Sequence, residues 1–201
     1  MGDGSARRVD SKNRKFRIPA EILAWNTATI VFWVRLDDEI ASSTHNRYLF
    51  SYTTDNNDES GHPNSFYLVH QGGTNAWKLK FFRRPDQNER NSISFANGSN
   101  TLGTRMFTIR WCAREGWCDL LIDAGRAFRK RAVLDDWDSS WPTPGGGDID
   151  IGGWRDNWDG GLSRALFTDV RVFDSALTDT ELAAIFAATS DQAQRLLGRS
   201  A

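Results

Sequence analysis

The sequence has little that would indicate a membrane protein, a secretory leader or a disulfide framework. No apolar run approaches the roughly 20 residues that a membrane span needs, and residues 1–8 are polar and do not resemble a signal peptide. Only two of the 201 residues are cysteines, and the net charge is -1. The charge balance therefore gives no reason to expect nucleic acid or an anionic membrane as a partner.

Glutamate and lysine are also scarce, with six glutamates among the 26 acids and five lysines among the 25 bases. The acids are thus mostly aspartates, which favour turns and helix caps, so we expect many carboxylates in loops. Nine tryptophans are unusual for this length. Trp33 and Trp77 lie in apolar strand patterns and are expected in the core.

Short β-strand patterns fill most of the chain. Alternating β-branched and aromatic residues predict strands at 27–36, 47–52, 65–70, 76–82, 92–95, 106–113, 117–123, 127–133, 148–151 and 162–173. The strand at 27–36 is apolar on both faces and should be covered on both sides. Segments rich in Asn, Asp, Gly and Pro separate the strands, and no repeat or linker interrupts them. This pattern predicts one all-β sandwich domain over residues 1–201.

Helix is predicted only at the C-terminus. Thr178 and Glu181 have the spacing of a capping box, and Leu182, Ile185 and Phe186 follow as an apolar helical stripe. We expect a second short helix near 191–197, within a C-terminal tail, 188–201, that follows a core of about 14–187. If Leu196 and Leu197 are exposed, they form a docking surface.

The two cysteines lie six positions apart, on either side of a predicted hairpin tip. A three-residue loop of Arg114, Glu115 and Gly116 would place Cys112 opposite Cys118, close enough for a disulfide. The alternative is two free thiols in a reducing compartment. The sequence does not decide between them.

One stretch resembles a known family. Residues 166–182, LFTDVRVFDSALTDTEL, are similar to the closing segment of laminin-G-like domains in the concanavalin A-like superfamily. Residues 27–34 resemble the early strand of that family with its Trp, and 107–111 with 118–125 resemble its central hairpin, apart from one inserted Ala at position 124. The resemblance implies two stacked antiparallel sheets with jelly-roll connections and a short C-terminal helical segment.

The resemblance also implies a structural calcium ion. Many members use the acidic residue at the position of Asp169 as a ligand, together with backbone carbonyls near the N-terminus. Calcium takes six to eight oxygen ligands. Asp169 is therefore the predicted metal ligand, and the alternative is that it caps a turn or pairs with an arginine.

Enzymes of similar fold use paired carboxylates or Arg-rich and Gln-x-His strands, and neither pattern occurs here. The six glutamates are scattered, and the three histidines show no metal spacing. Only Asp148 and Asp150 place two carboxylates on one strand face. We expect a protein that is not an enzyme, and a degenerate glycoside hydrolase using that pair is the remote alternative.

Two loop clusters have the chemistry of sugar binding, because aromatic rings stack on sugar CH faces and polar side chains bind hydroxyls. The first has Trp154, Arg155, Asp156, Asn157, Trp158 and Asp159 between pairs of glycines. The second contains Trp137 and Trp141 among aspartates and serines. Both sets are predicted ligand-binding residues. The alternative is that these rings cover loop bases and the carboxylates cap turns.

These features predict a non-catalytic carbohydrate-binding or adhesion module, a lectin whose partner is a glycan or protein surface. The main alternative is a decoration protein of a virion, such as a phage capsid, that uses the same fold in a homo-oligomer or virus shell. This alternative rests on the lack of a signal peptide in this chain. An extracellular, cell-surface or virion location is expected in either case.

Overall fold

The computed structural model describes residues 7–8, 16–36, 44–54, 64–74, 76–84, 91–96, 102–145, 147–153 and 165–198. Twelve strands are assigned, and their bounds are β1 Arg7–Arg8, β2 Phe16–Pro19, β3 Thr27–Leu36, β4 Arg47–Tyr52, β5 Ser65–His70, β6 Ala76–Phe82, β7 Ser92–Ala96, β8 Gly103–Cys112, β9 Trp117–Ile122, β10 Phe128–Val133, β11 Asp148–Ile151 and β12 Leu166–Phe173. Two α-helices are described, α1 Trp137–Ser140 and α2 Asp179–Gly198, with 3-10 turns at Ala20–Ala24 and Asp123–Gly125.

The strands form two six-stranded antiparallel sheets. Sheet A has the order β1-β12-β3-β8-β9-β10, and sheet B has the order β2-β11-β4-β5-β6-β7. The chain crosses repeatedly from one sheet to the other, because β3 lies between β2 and β4 in sequence but pairs in sheet A. This is the antiparallel jelly-roll sandwich predicted from the sequence.

The main core lies between the sheets. Phe32 of β3 stacks on Phe107 of β8 and contacts Phe50 of β4 edge to face, with ring centroids 5.6 and 6.5 Å apart. Trp77 is fully buried in this core, as predicted. Each strand contributes every second residue to this layer, which leaves the alternate residues on the two outer faces.

Helix α2 covers the outer face of sheet A. Val31 and Trp33 of β3 pack there against Leu182, Ala193 and Leu197. The indole of Trp33 donates to the Oγ1 of Thr189 at 2.8 Å. Strand β3 is therefore buried on both faces, as predicted.

The C-terminal prediction needs one correction. The capping box is present, since the amide of Thr178 donates to Glu181 at 2.7 Å and that of Glu181 to Thr178 at 3.3 Å. However, residues 179–198 form one helix and not two short ones, because Thr189 is held against Trp33 at the point where a break was expected. Leu197 is fully buried, so it is not part of an exposed docking surface.

The structure decides between the two alternatives for the cysteines, which are free thiols and do not form a disulfide. The tip of the β8–β9 hairpin has four residues, 113–116, with the amide of Gly116 donating to the carbonyl of Ala113. This shifts the register by one, so that Cys112 faces Trp117 and Cys118 faces Trp111. The cysteines consequently point to opposite faces of sheet A and are both free. Burial raises the pKa of the Cys118 thiol well above its usual value.

Candidate functional site

The outer face of sheet B carries a row of polar side chains that crosses all six strands. Cross-strand pairing aligns the members one after another, in the order Arg17, Asp150, Ser51, Tyr67, Lys80 and Ser92. We call this set the polar row. Five inter-strand spacings of about 4.8 Å give it a length of roughly 24 Å.

The polar row combines charged and neutral polar groups, and four of its six members are buried: Asp150, Ser51, Tyr67 and Lys80. Asp150 accepts from the guanidinium of Arg17 at 3.3 Å, and the Asp150 side chain is only 7% exposed whereas that of Arg17 is 64% exposed. The hydroxyl of Ser51 donates to the carbonyl of Gly153 at 2.8 Å. Arg17 is exposed and Ser92 is partly exposed, so these two members of the row are accessible to a ligand that presents hydroxyl groups.

An aromatic cluster lies beside the row on the same face. Tyr67 contacts Tyr48 and Phe82 edge to face, with ring centroids 5.6 and 6.2 Å apart. Phe82 is fully buried and Tyr67 is 7% exposed, but Tyr48 is only partly buried. Tyr48 is therefore the ring of this cluster with the most access to solvent, and a tyrosine offers both a ring face and a hydroxyl.

The first predicted ligand-binding cluster lies outside the described residues: Trp154, Arg155, Asp156, Asn157, Trp158 and Asp159. Gly152 and Gly153, immediately before them in sequence, are described. The amide of Gly152 donates to the carbonyl of Leu49 at 2.6 Å, and the carbonyl of Gly153 accepts from Ser51 of the polar row. The prediction for residues 154–159 stays a prediction.

The second predicted cluster lies elsewhere. Trp141 is 3% exposed in the core, where it contacts Phe66, and its indole donates to the carbonyl of Leu23 at 3.1 Å. Its ring is thus not available as the predicted platform, because the core needs it to fill the end of the sandwich. Trp137 stacks on Trp141 with centroids 4.3 Å apart and remains partly buried.

Trp141 and Gly153, the residue that precedes the first cluster, lie near different parts of β4. Trp141 is near the Tyr52 end of this strand, since its neighbour Phe66 pairs with Tyr52. Gly153 follows Gly152, which binds Leu49, about 10 Å from Tyr52 along the same strand.

Asp169, the predicted calcium ligand, occupies the bulge of β12 with a φ of 52°. Its Oδ1 accepts from Nε of Arg171 at 2.7 Å. Among the described residues, no group of three or more acidic, histidine or cysteine side chains could hold a metal ion. A calcium ion would have to displace the guanidinium and take its other ligands from backbone carbonyls. The described side chains do not by themselves fit calcium, which stays a prediction.

The carboxylate pair of β11 is also on the outer face of sheet B. Asp148 and Asp150 are two residues apart, which places them about 7 Å from each other. Asp150 forms an ion pair with Arg17, and Asp148 is partly exposed.

Comparison with known proteins finds likeness in fold and not in sequence. No family model matches the chain, and no curated protein matches it. Among solved structures, the receptor binding domain of botulinum neurotoxin D has a TM-score of 0.60 at 14% identity, over 92% of this chain and 44% of that one. The botulinum neurotoxin serotype D ligand binding domain in complex with N-acetylneuraminic acid has a TM-score of 0.59 at 15% identity, over 92% and 42%.

A third similar structure is the Ruminococcus gnavus IT-sialidase CBM40 bound to alpha2,3 sialyllactose. Its TM-score is 0.55 at 12% identity, and the match covers 92% of this chain and 100% of that one. The chain thus spans less than half of the neurotoxin domains but the whole of the CBM40 module. At these identities the comparisons show the β-sandwich fold alone. Within the described residues, no helix is long and apolar enough to cross a membrane.

Proposed function

We propose that this chain is a non-catalytic carbohydrate-binding module that binds glycans on the outer face of sheet B. The observation that carries the proposal is the polar row, which aligns charged, hydroxyl and phenol groups across six strands. Tyr67 lies within the row and Tyr48 lies beside it. Arg17 and Ser92, the members of the row that are not buried, supply hydrogen bonds, and Tyr48 supplies stacking.

The similar structures add support of a different kind. Two of them are complexes, one with N-acetylneuraminic acid and one with alpha2,3 sialyllactose. A sandwich of this fold can therefore present a glycan site. We further propose the laminin-G-like type for this module, on the resemblance of residues 166–182, and a location where glycans are displayed, on a cell surface, outside the cell or on a virion.

The experiment is a glycan array with the full chain, followed by titration calorimetry with the tightest glycan. Arg17→Gln and Tyr48→Ala remove one charged donor and one ring from the outer face of sheet B. A hydrogen bond from a charged group is worth about 1.5–3 kcal/mol, so each variant should weaken binding about 10- to 100-fold.

The matched control is Arg195→Gln, an exposed arginine of α2 on the other sheet. It should bind like the unchanged chain. Thermal unfolding of every variant separates loss of the site from loss of the fold, which matters for Arg17 because Asp150 is its buried partner. If neither Arg17→Gln nor Tyr48→Ala weakens binding, the site lies elsewhere.

A blank array would favour the particle-decoration alternative, which places the same fold in an assembly. Sedimentation velocity then distinguishes the two. A glycan-binding module is expected to sediment as a monomer of 22.7 kDa, whereas an assembly protein should show concentration-dependent association.

A further inference from the structure

Strand β10, at the edge of sheet A, carries a concentration of positive charge. Residues 124–134 contain four cations and no acid. These are Arg126, Arg129, Lys130 and Arg131, which we call the basic edge. All four are exposed. Among the described strands, β10 pairs with β9 alone, which leaves its other edge without a described partner.

Two of these arginines are held in place by acids, of which Asp119 is buried and Asp179 is exposed. Asp119 of β9 is fully buried and accepts from Nε and Nη2 of Arg131 at 2.6 and 2.8 Å. Asp179, at the start of α2, accepts from Nη1 of Arg129 at 2.6 Å. The guanidinium of Arg131 also lies over the ring of Trp117, with its central carbon 4.0 Å from the ring centroid. Arg129 and Arg131 are therefore fixed in orientation before any ligand arrives.

The fixed guanidiniums keep unused donors. Among the residues that the structure describes, no acceptor contacts Nε of Arg129 or Nη1 of Arg131. Their side chains are 43% and 42% exposed. Arg129 and Arg131 are two residues apart on one face of β10, which spaces them at roughly 7 Å. Planar forks with free N–H groups bind carboxylates and sulfates with two parallel hydrogen bonds.

The charges around the basic edge do not cancel. Arg110, buried beside Asp119, brings the local cations to five. The facing carboxylates are Asp119, Asp179 and Glu115, the last of which accepts from the indole of Trp117. An alternative role for charged residues on an edge strand is to prevent pairing with the edge of another sheet, and lysines alone would serve that purpose. That role does not require arginines that are fixed in orientation, one of them over the ring of Trp117.

We propose that the basic edge is a second binding surface, which takes the carboxylate or sulfate groups of an acidic glycan. The choice of a glycan over other polyanions rests on the proposed function. The surface itself is separate, because β10 belongs to sheet A and the polar row belongs to sheet B. Neighbouring acidic groups along one polymer would contact Arg129 and Arg131 in turn, with Lys130 and Arg126 adding charge.

The experiment measures binding of the full chain to four polymers at 0.05 and 0.5 M NaCl. Polygalacturonate carries carboxylates, dextran sulfate carries sulfates, dextran is neutral, and a DNA duplex carries phosphates. We expect binding to one or both acidic glycans that weakens about tenfold or more at the higher salt, because exposed charges are then screened. The polymer that binds tells whether the carboxylate or the sulfate is recognised.

Two variants and a control locate the surface. Lys130→Glu reverses an exposed charge with no buried partner, and Arg129→Gln leaves Asp179 paired with Arg110. Each should weaken acidic-glycan binding about fivefold or more, while Arg195→Glu on α2 should leave it unchanged. Wild-type affinity in both variants, or no binding to either acidic polymer, would overturn the proposal. Equal binding to the DNA duplex would overturn the choice of a glycan.

The two proposals fail separately. Tyr48→Ala should leave acidic-polymer binding intact and reduce binding of the glycan found on the array, whereas Lys130→Glu should do the reverse. If Tyr48→Ala weakens binding of both the acidic polymer and the glycan from the array, a single site on sheet B binds both ligands and the basic edge has no binding role.

Discussion

Replacing Asp119 by asparagine should strongly destabilise the fold, because this carboxylate joins β8, β9 and β10. It is fully buried and receives two hydrogen bonds from Arg110, at 3.0 and 3.1 Å, and two from Arg131. Arg110 also donates to the carbonyl of Leu177 and to Asp179, which fixes the start of α2. Asparagine keeps the shape of the side chain but removes the negative charge that balances the guanidinium of Arg110, whose side chain is 5% exposed.

Breaking a buried ion pair from one side costs about 3–5 kcal/mol. At about 2–4 °C per kcal/mol for a domain of this size, the Tm should fall by roughly 6–20 °C. Thermal unfolding followed by circular dichroism at pH 7 measures this. The double variant Arg110→Met with Asp119→Leu removes both buried charges and should lose less stability than Asp119→Asn alone. A fall in Tm of under about 2 °C for Asp119→Asn would refute the reasoning.

Three further predictions concern the helix, pH and calcium. Leu197→Ala should lower the free energy of unfolding by about 2–5 kcal/mol, and Leu196→Ala by much less, because only Leu197 is fully buried. Similar urea midpoints for the two variants would contradict this. Burial lowers the pKa of His70 in the folded chain, so the unfolded chain binds more protons as the pH falls. The free energy of unfolding should therefore decrease below about pH 6.5, the ordinary pKa of histidine. Asp179, whose pKa is lowered, affects stability only at more acidic pH. Urea unfolding at pH 5 and 7 tests this, with His70→Gln expected to flatten the dependence. If the calcium prediction holds, calcium should raise the Tm relative to EDTA and Asp169→Asn should abolish the increase; an unchanged Tm would refute it.

Local patterns predicted the strands well. The bounds of β3, β4, β5, β6 and β11 agree with the structure at every residue, because alternation of apolar residues is read within one strand. Strands β1 and β2 were missed, since they are two and four residues long and depend on pairing with β12 and β11. The capping box was also local and was confirmed.

Features that depend on distant contacts were not predicted. One additional residue in the turn at 113–116 changed the register that the disulfide required. The continuity of α2 depends on a hydrogen bond between residues 33 and 189. The polar row could not be found from the sequence, because its members lie on six strands whose registers are set by the whole fold. The pairing of Tyr67 with Lys80 follows from the register between β5 and β6, which no local pattern sets.

The most direct test of the account is an NMR titration of the 15N-labelled chain with the tightest glycan from the array. We expect amide shifts to change along the outer face of sheet B, at Ser51, Tyr67 and Lys80, and in the Trp154–Trp158 segment. Changes confined to sheet A, or to the Trp137 end of the sandwich, would contradict the proposed site.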